Sequence, residues 1–475
     1  MLAMNSGGRK PGRYFAMLAT AGRASVVAIA FVSASIISAT AASAEDKPTD
    51  AAPLSGAKFL VGVATRDITP KSPTPMWGYG DRHALLSLGT LDPLYAKALV
   101  IVAGDAKLAI VGTDIGRGPT QAMMAKIRKE LKDKAGIDYV MISGSHSHHG
   151  PVTELTDREG LGKGKFDDAV KYAQELPDLL IEAILEADKS ARPARIGIAK
   201  VNVNYNRNRH SKREPKPTDP MLAVIRFDDE AGKPIAVLVN FAAHPTMISG
   251  AVLKFSADYP GAMKKKVEEK LATHCVFMQG ASGDMSANPP EGVRGHEQFG
   301  QALADRVIEL VGGIKTAVPT KPGIQGRTDH FNFASRVDFS NPLIGVAYGR
   351  AFFPELVRNF VDEFRGGVTP ELNTILLNGQ IALVGGSGEF FCNHSNRLKE
   401  RSYAEHTLFF GYCNGHHMYL PTIEAVSEGG YGADPPVSPI EIGGGEQIMN
   451  RALINIYTML GKFPAAKPAA TTAAK

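Results

Sequence analysis

An apolar run, Tyr139-Val-Met-Ile142, passes directly into Ser143-Gly-Ser-His-Ser-His-His-Gly-Pro151, so three histidines stand on a glycine-rich exit from a strand-like segment. If strand alternation continues through that exit, His146 and His148 point to one face and His149 to the other, and two imidazoles share a pocket. Such exits supply few buried partners for packing and are where catalytic and metal-binding groups collect. The other reading is a solvated polar loop. A fold that uses the histidines must bring further ligands to the same rim.

The rest of the chain alternates in a way that can supply one. Apolar runs at Ala98–Val102, Leu108–Thr113, Tyr139–Ser143, Ile235–Phe241, Cys275–Met278, Asn373–Leu377 and Gln380–Val384 have the length and bounding residues of buried strands. Helical periodicity runs through Thr120–Lys134, Asp167–Ser190 with an expected interruption at Pro177, Ala262–Leu271 and His296–Val311. In the first of these, Met123, Met124, Ile127 and Leu131 make a stripe that reads as a core-facing helix with a solvated basic face. The expected fold class is α/β (mixed α+β), with a zinc site built on loops at the strand ends of a central sheet.

The unusual polar residues follow strand-like runs. His244 lies in Phe241-Ala-Ala-His-Pro-Thr246 and Glu389 in Gly385-Gly-Ser-Gly-Glu-Phe390. Two or three histidines and one carboxylate around an open position form the ligand set of a hydrolytic zinc centre. Taken singly, His244 before a proline reads equally as a hydrogen-bonded core histidine, and Glu389 as a helix cap or surface carboxylate. Gln279-Gly-Ala-Ser-Gly-Asp-Met-Ser-Ala-Asn-Pro289 is a further turn able to present amides and the hydroxyls of Ser282 or Ser286 to a ligand, though turns of this composition are common.

Composition limits the alternatives. Arg9, Lys10, Arg13 and Arg23 precede a moderately apolar stretch, Ala24 to Ala41, and Ala42-Ser43-Ala44, the pattern of a secretory leader cleaved before Glu45. Its removal takes the formal charge from +5 to about +1, so the basic balance argues for no nucleic-acid partner. The expected organisation is a leader over 1–44, a linker over 45–58, one large domain of two merged lobes over 59–462 and a disordered tail over 463–475. Three cysteines exclude a disulfide-stapled scaffold. If one bridge forms it joins Cys392 to Cys413; free buried thiols are equally compatible.

Several separated motifs, in order, resemble the neutral or alkaline non-lysosomal ceramidases. Gly62-Val-Ala-Thr-Arg-Asp-Ile-Thr-Pro70 and Met76-Trp-Gly-Tyr-Gly80 look like that family's opening strand and glycine turn, followed by Leu91-Asp-Pro-Leu-Tyr-Ala-Lys-Ala98. Ser145-His-Ser-His-His-Gly-Pro151 is similar to Thr-His-Thr-His-Ser-Gly-Pro, which implies that His146 binds zinc and His148 faces the scissile bond. Phe241-Ala-Ala-His-Pro-Thr246 resembles Phe-Ala-Thr-His-Pro-Thr and implies His244 as a second ligand. Gly388-Glu-Phe390 and Tyr419-Leu-Pro-Thr422 match segments that imply Glu389 and Tyr419 as the remaining ligands, Tyr419 also serving catalysis. Gly283-Asp-Met-Ser-Ala-Asn288 resembles Gly-Asp-Val-Ser-Pro-Asn and implies a catalytic role for Ser286. Gly78, Arg209 and Tyr431 fall near the substrate amide. Ala281, Ala287 and His149 depart from the family's asparagine, proline and serine.

The likeness spans most of residues 60 to 460, the catalytic portion, so the family's C-terminal immunoglobulin-like domain is not expected here. It implies an exported, periplasmic or secreted Zn2+-dependent amidohydrolase that cleaves ceramide to a fatty acid and a sphingoid base. Its partner is a lipid substrate, with at most transient membrane-surface contact. Another N-acyl amine or an ester as substrate, or a metal-binding protein without turnover, are the competing readings.

Overall fold

The protein is described by a computed structural model covering residues 58–349 and 352–464. The expected leader, the linker up to residue 57 and the tail from residue 465 lie outside the described residues. Among the described residues no helix is long and apolar enough to cross a membrane.

The chain opens as a meander of β1 (Phe59–Asp67), β2 (Tyr95–Ala103) and β3 (Ala106–Thr113), then crosses through α1 (Gln121–Ala135) to β4 (Tyr139–Gly144), parallel to β3. After α2 (Asp167–Lys189) come β5 (Arg192–Asn202) and the short β6 (Asn206–Asn208). Next are β7 (Met221–Asp229) and β8 (Pro234–Phe241), and α3 (Asp258–Leu271) carries the chain to β9 (His274–Gln279), parallel to β8. These build an eight-stranded mixed sheet in the order β4-β3-β2-β1-β5-β7-β8-β9. Parallel neighbours need a helix to return the chain, and the two crossovers make β4 parallel to β3 and β9 parallel to β8. In the strand order β4 runs opposite to β8 and β9, so pairing alone does not bring their exits together. The sheet also coils until β9 lies over the inner side of β3. A Cβ on Gly112 of β3 would meet the Phe277 carbonyl oxygen of β9 at 2.3 Å, which is why glycine stands there.

β10 (Met285–Ala287) pairs with β6, and α4 (Gly295–Gly313) packs on α3. A second sheet, ordered β11-β12-β13-β15, is formed by β11 (Ile324–His330), β12 (Glu371–Leu377), β13 (Ile381–Gly386) and β15 (His406–Phe410). Helices α5 (Pro342–Tyr348) and α6 (Pro354–Phe364) precede β12. β14 (Glu389–Phe390) and α7 (Cys392–Arg401) separate β13 from β15, and β16 (Tyr419–Leu420), α8 (Ile423–Glu428) and α9 (Gly444–Met459) close the chain.

The two sheets face each other. Ile375, Leu383 and Phe410 from the smaller one interdigitate with Leu99, Ile110, Met141 and Leu238 from the larger. Helices α1 to α4 cover the larger sheet's outer face, and α7 and α9 cover that of the smaller. The result is four layers, helix, sheet, sheet and helix, in keeping with the mixed α+β expectation.

One expectation is corrected and one open alternative is decided. Pro177 does not interrupt α2, which runs unbroken through it. The missing N–H and the ring clash cost about 3 kcal/mol. Leu176, Leu180, Ile181 and Ile184 are buried alongside, and at roughly 1.5–3 kcal/mol each their burial outweighs that cost. The cysteines form no bridge: Cys275, Cys392 and Cys413 are free and buried. Cys392 turns to Asp284, its Sγ donating at 3.2 Å, while Cys413 packs against Gly385 of β13.

Candidate metal centre

Strand β4 ends at Gly144, before the histidines, so the alternation expected across 146 and 148 does not exist. The chain bends: Ser145 N–H donates to Thr113 at 2.8 Å, His146 N–H to Ile115 at 3.1 Å, and His146 adopts φ 68°. A left-handed non-glycine residue costs roughly 1–2 kcal/mol. It is held by Nδ1–H donation to the Gly116 carbonyl at 2.8 Å and by Tyr412, stacked on the imidazole with centroids 4.1 Å apart. This bend brings His148 Nε2 to 3.4 Å from His146 Nε2. Gly78, with φ +102°, lies under the His148 ring, where a Cβ would stand 2.4 Å from its Cγ. His149 goes the other way, its Nε2 accepting from Arg82 at 2.6 Å.

His244 leaves β8 and is fixed twice, by its N–H to Met285 O at 3.0 Å and by Nδ1–H to Ser282 O at 2.5 Å. Glu389 is carried by β14, paired in parallel with β16 so that Glu389 sits beside Tyr419. Its Oε2 lies 3.2 Å from His146 Nε2 and 3.3 Å from His244 Nε2, and those two nitrogens are 3.1 Å apart. The three residues are buried. Burial, then the Arg209 charge, push the His244 pKa down to about 3. Burial likewise holds His148 well below the usual histidine range, with the neighbouring His146 and His244 adding to it. Burial opposes ionisation of Glu389, but the surrounding imidazoles of His146, His244 and His416 outweigh it and keep its carboxyl well below the ordinary value.

This arrangement passes a test for a metal. With Nδ1 of His146 and His244 committed to carbonyls, the neutral rings turn Nε2 lone pairs inward. Glu389 Oε2 is buried without a hydrogen-bond donor of proper geometry. A soft-to-borderline divalent cation such as zinc satisfies converging imidazole and carboxylate lone pairs. Two overlapping groups have the required spacing, His146 with His148 and His244, and His146 with Glu389 and His416.

The remaining expected residues are distributed as follows. Arg209, an exposed residue, reaches inward with its guanidinium, Nη2 donating to His244 Nε2 at 2.9 Å, Gly283 O at 2.9 Å and Tyr419 OH at 3.1 Å. Tyr419 is buried, and burial and Glu389 hold its phenol protonated. Ser286, partly exposed on β10, pairs with Arg207 and forms a parallel bridge with His244. Tyr431 is exposed and meets Tyr419 edge-on at 5.5 Å. The sequence reasoning missed His416, whose Nε2 is 3.1 Å from Glu389 Oε1, and Trp77, whose ring edges meet His146, His148 and His416. His416-His417 three residues before Tyr419 was the available signal.

A cavity opens on these groups. Its lining combines the polar His148, Glu389, His416 and Tyr419 with the apolar Phe352, Phe353, Leu356, Phe360, Met418 and Val437.

The family model for neutral/alkaline non-lysosomal ceramidases, N-terminal part, matches residues 59–298, which include His146, His148, His244 and Ser286. The chain belongs to the neutral/alkaline non-lysosomal ceramidase family. Solved ceramidases share the fold. One, a ceramidase complexed with C2, superposes with a TM-score of 0.70 at 18% identity, over 87% of this chain and 77% of that one. A neutral ceramidase from Pseudomonas aeruginosa gives 0.69 at 18% identity, over 87% and 76%. No curated protein matches the chain. Glu389, His416 and Tyr419 of this ceramidase family member lie outside the matched residues.

Proposed function

We propose that the chain is an exported, zinc-dependent amidohydrolase that cleaves the N-acyl bond of ceramide into a fatty acid and a sphingoid base. The observation that carries this reading is the convergence of imidazole and carboxylate groups at a cavity also lined by apolar side chains, in a chain of the ceramidase family.

His146, His244 and Glu389 would hold the ion, with Tyr419 beside Glu389 as the fourth ligand. Zinc, when bound, polarises an amide carbonyl and lowers the pKa of a water molecule towards about 7. His148 faces the cavity as a neutral imidazole, able to take a proton from the attacking water and return it to the departing amine. The Tyr419 phenol lines the cavity and accepts from Arg209 at 3.1 Å, which leaves its own O–H able to donate to an amide oxygen as that oxygen gains charge. The Ser286 hydroxyl orients water or relays a proton. Phe353, Leu356 and Phe360 form a dry wall for lipid tails. Bond making and breaking balance: water's hydroxyl joins the acyl carbon, the C–N bond breaks, and water's proton ends on the amine.

The test is hydrolysis of a short-chain N-acylsphingosine by the purified protein, followed by release of sphingosine, before and after chelation and with zinc restored. Turnover insensitive to chelation, or confined to esters, would contradict the reading. Export is tested separately by sequencing the amino terminus of the mature protein, which should begin at Glu45.

A further inference from the structure

The carboxylate in the donor cluster has two oxygens and only one of them faces the imidazoles of His146 and His244. The other, Oε1, is met by His416 Nε2 at 3.1 Å. His416 is buried, and its ring is clamped between the Trp77 edge, centroids 5.4 Å apart, and Tyr412, stacked at 6.3 Å. The segment that carries it is anchored on both sides. Asn414 accepts from Ile142 N–H of β4 and donates to Val140 O, each at 2.8 Å, while His417 lies 2.9 Å from Ser387 O in the turn before Glu389. Tyr412, Asn414 and Met418 all have positive φ, at 55°, 58° and 58°, and Gly415 lies at 156°. Left-handed conformations at three non-glycine residues are retained where surrounding structure over-determines them. Here the anchors aim one imidazole at one carboxylate oxygen.

We infer that His416 is a positioning residue that donates Nε2–H to Glu389 Oε1 and thereby fixes Oε2 towards the metal. The inference rests on the proposed zinc site at His146, His244 and Glu389. A carboxylate bound to a metal through one oxygen needs its other oxygen satisfied, or it rotates and loses the preset geometry.

The test compares His416→Ala with His416→Gln, whose amide N–H can stand near the position of Nε2. Zinc dissociation constants are measured on metal-free protein by competition with a chromophoric chelator, alongside circular dichroism and melting of the metal-free forms. For His416→Ala the expected result is a 10- to 100-fold weaker constant, on the order seen when a ligand's hydrogen-bond partner is removed, with the fold kept. His416→Gln should recover most of that loss. Cobalt-substituted wild type and His416→Ala should share one d–d spectrum, because the donor atoms are the same. Unchanged zinc affinity in folded His416→Ala overturns the inference. So does an equal loss in His416→Gln with an altered cobalt spectrum, which would make His416 itself a ligand. Wild-type protein that binds no zinc would instead overturn the proposed site. If His416→Ala does not fold, the Gln variant decides: wild-type affinity and spectrum support the inference, and weakened affinity overturns it.

Discussion

Among the clusters of buried ionisable groups in the described residues, the one under α3 and the one around Glu389 differ in one respect. Under α3, Lys264 pairs with Asp114, Lys97 with Glu268 at 2.7 Å, and Asp258 accepts from the amides of Met247, Ile248 and Tyr259. Each charge there meets an opposite charge or a set of donors. Around Glu389, Nε2 of His146 and His244 and Oε2 of Glu389 approach within 3.1–3.3 Å, and of these three atoms His244 Nε2 is met by a donor, Arg209 Nη2 at 2.9 Å. The first cluster is complete as it stands and explains itself as structure. The second becomes complete with a cation. Ionisable residues in a cavity are therefore weak evidence of function until their partners are counted.

Substitutions can break this contrast. The largest effect is expected at the donor cluster, where His146→Ala or His244→Ala should abolish both zinc content and turnover. Elemental analysis showing full zinc in either purified variant would dissolve the distinction. Next, Lys264→Met strands the buried Asp114 carboxylate and should destabilise the fold by about 3–5 kcal/mol. Urea denaturation reads that loss, while zinc content and turnover per folded molecule should stay at wild-type values. A turnover defect in the folded variant would mean that the groove under α3 serves the chemistry.

Smaller effects sharpen the picture within the site. His148→Ala and Ser286→Ala should keep zinc and fold yet lose about 10²-fold or more in kcat, near 2.7 kcal/mol of barrier. Metal loss in His148→Ala would move that ring into the ligand set, a placement its 3.4 Å approach to His146 makes measurable. Wild-type turnover in Ser286→Ala would reduce β10 to a structural strand.

The smallest effect concerns pH. Burial pushes His417 down to about 3 from an ordinary 6.5. The unfolded chain binds this proton below pH 6.5 and the folded one only near 3, so stability is full above 6.5 and declines as pH falls between those values. For metal-free protein this ring alone should cost about 2 kcal/mol between pH 8 and 5. A urea midpoint that is flat over that range would contradict its burial as a neutral group.

Much of this was legible in the sequence because strand exits and residue types are local. The seven apolar runs fall on strands and the histidine-rich exit does follow β4. What was not legible came from tertiary context. The bend at His146 depends on the Gly116 carbonyl and on Tyr412, contributed from distant segments. Pro177 reads as a helix breaker until the burial around it is known. Cys392 and Cys413 read as a possible pair, yet each is taken up by a different neighbour. His416 carried no spacing signal towards Glu389, because an irregular left-handed loop aims it.

The most direct test of the account is zinc-dependent cleavage of the N-acyl bond by one preparation carried through three states. Mass spectrometry of a short-chain N-acylsphingosine incubated with isolated, chelated and zinc-restored protein should show equimolar fatty acid and sphingosine in the first and third, and intact substrate in the second. His244→Ala should give intact substrate in all three. Product formation by the chelated protein, or by His244→Ala, would contradict the claim that the converging lone pairs of His146, His244 and Glu389 are the centre of the chemistry.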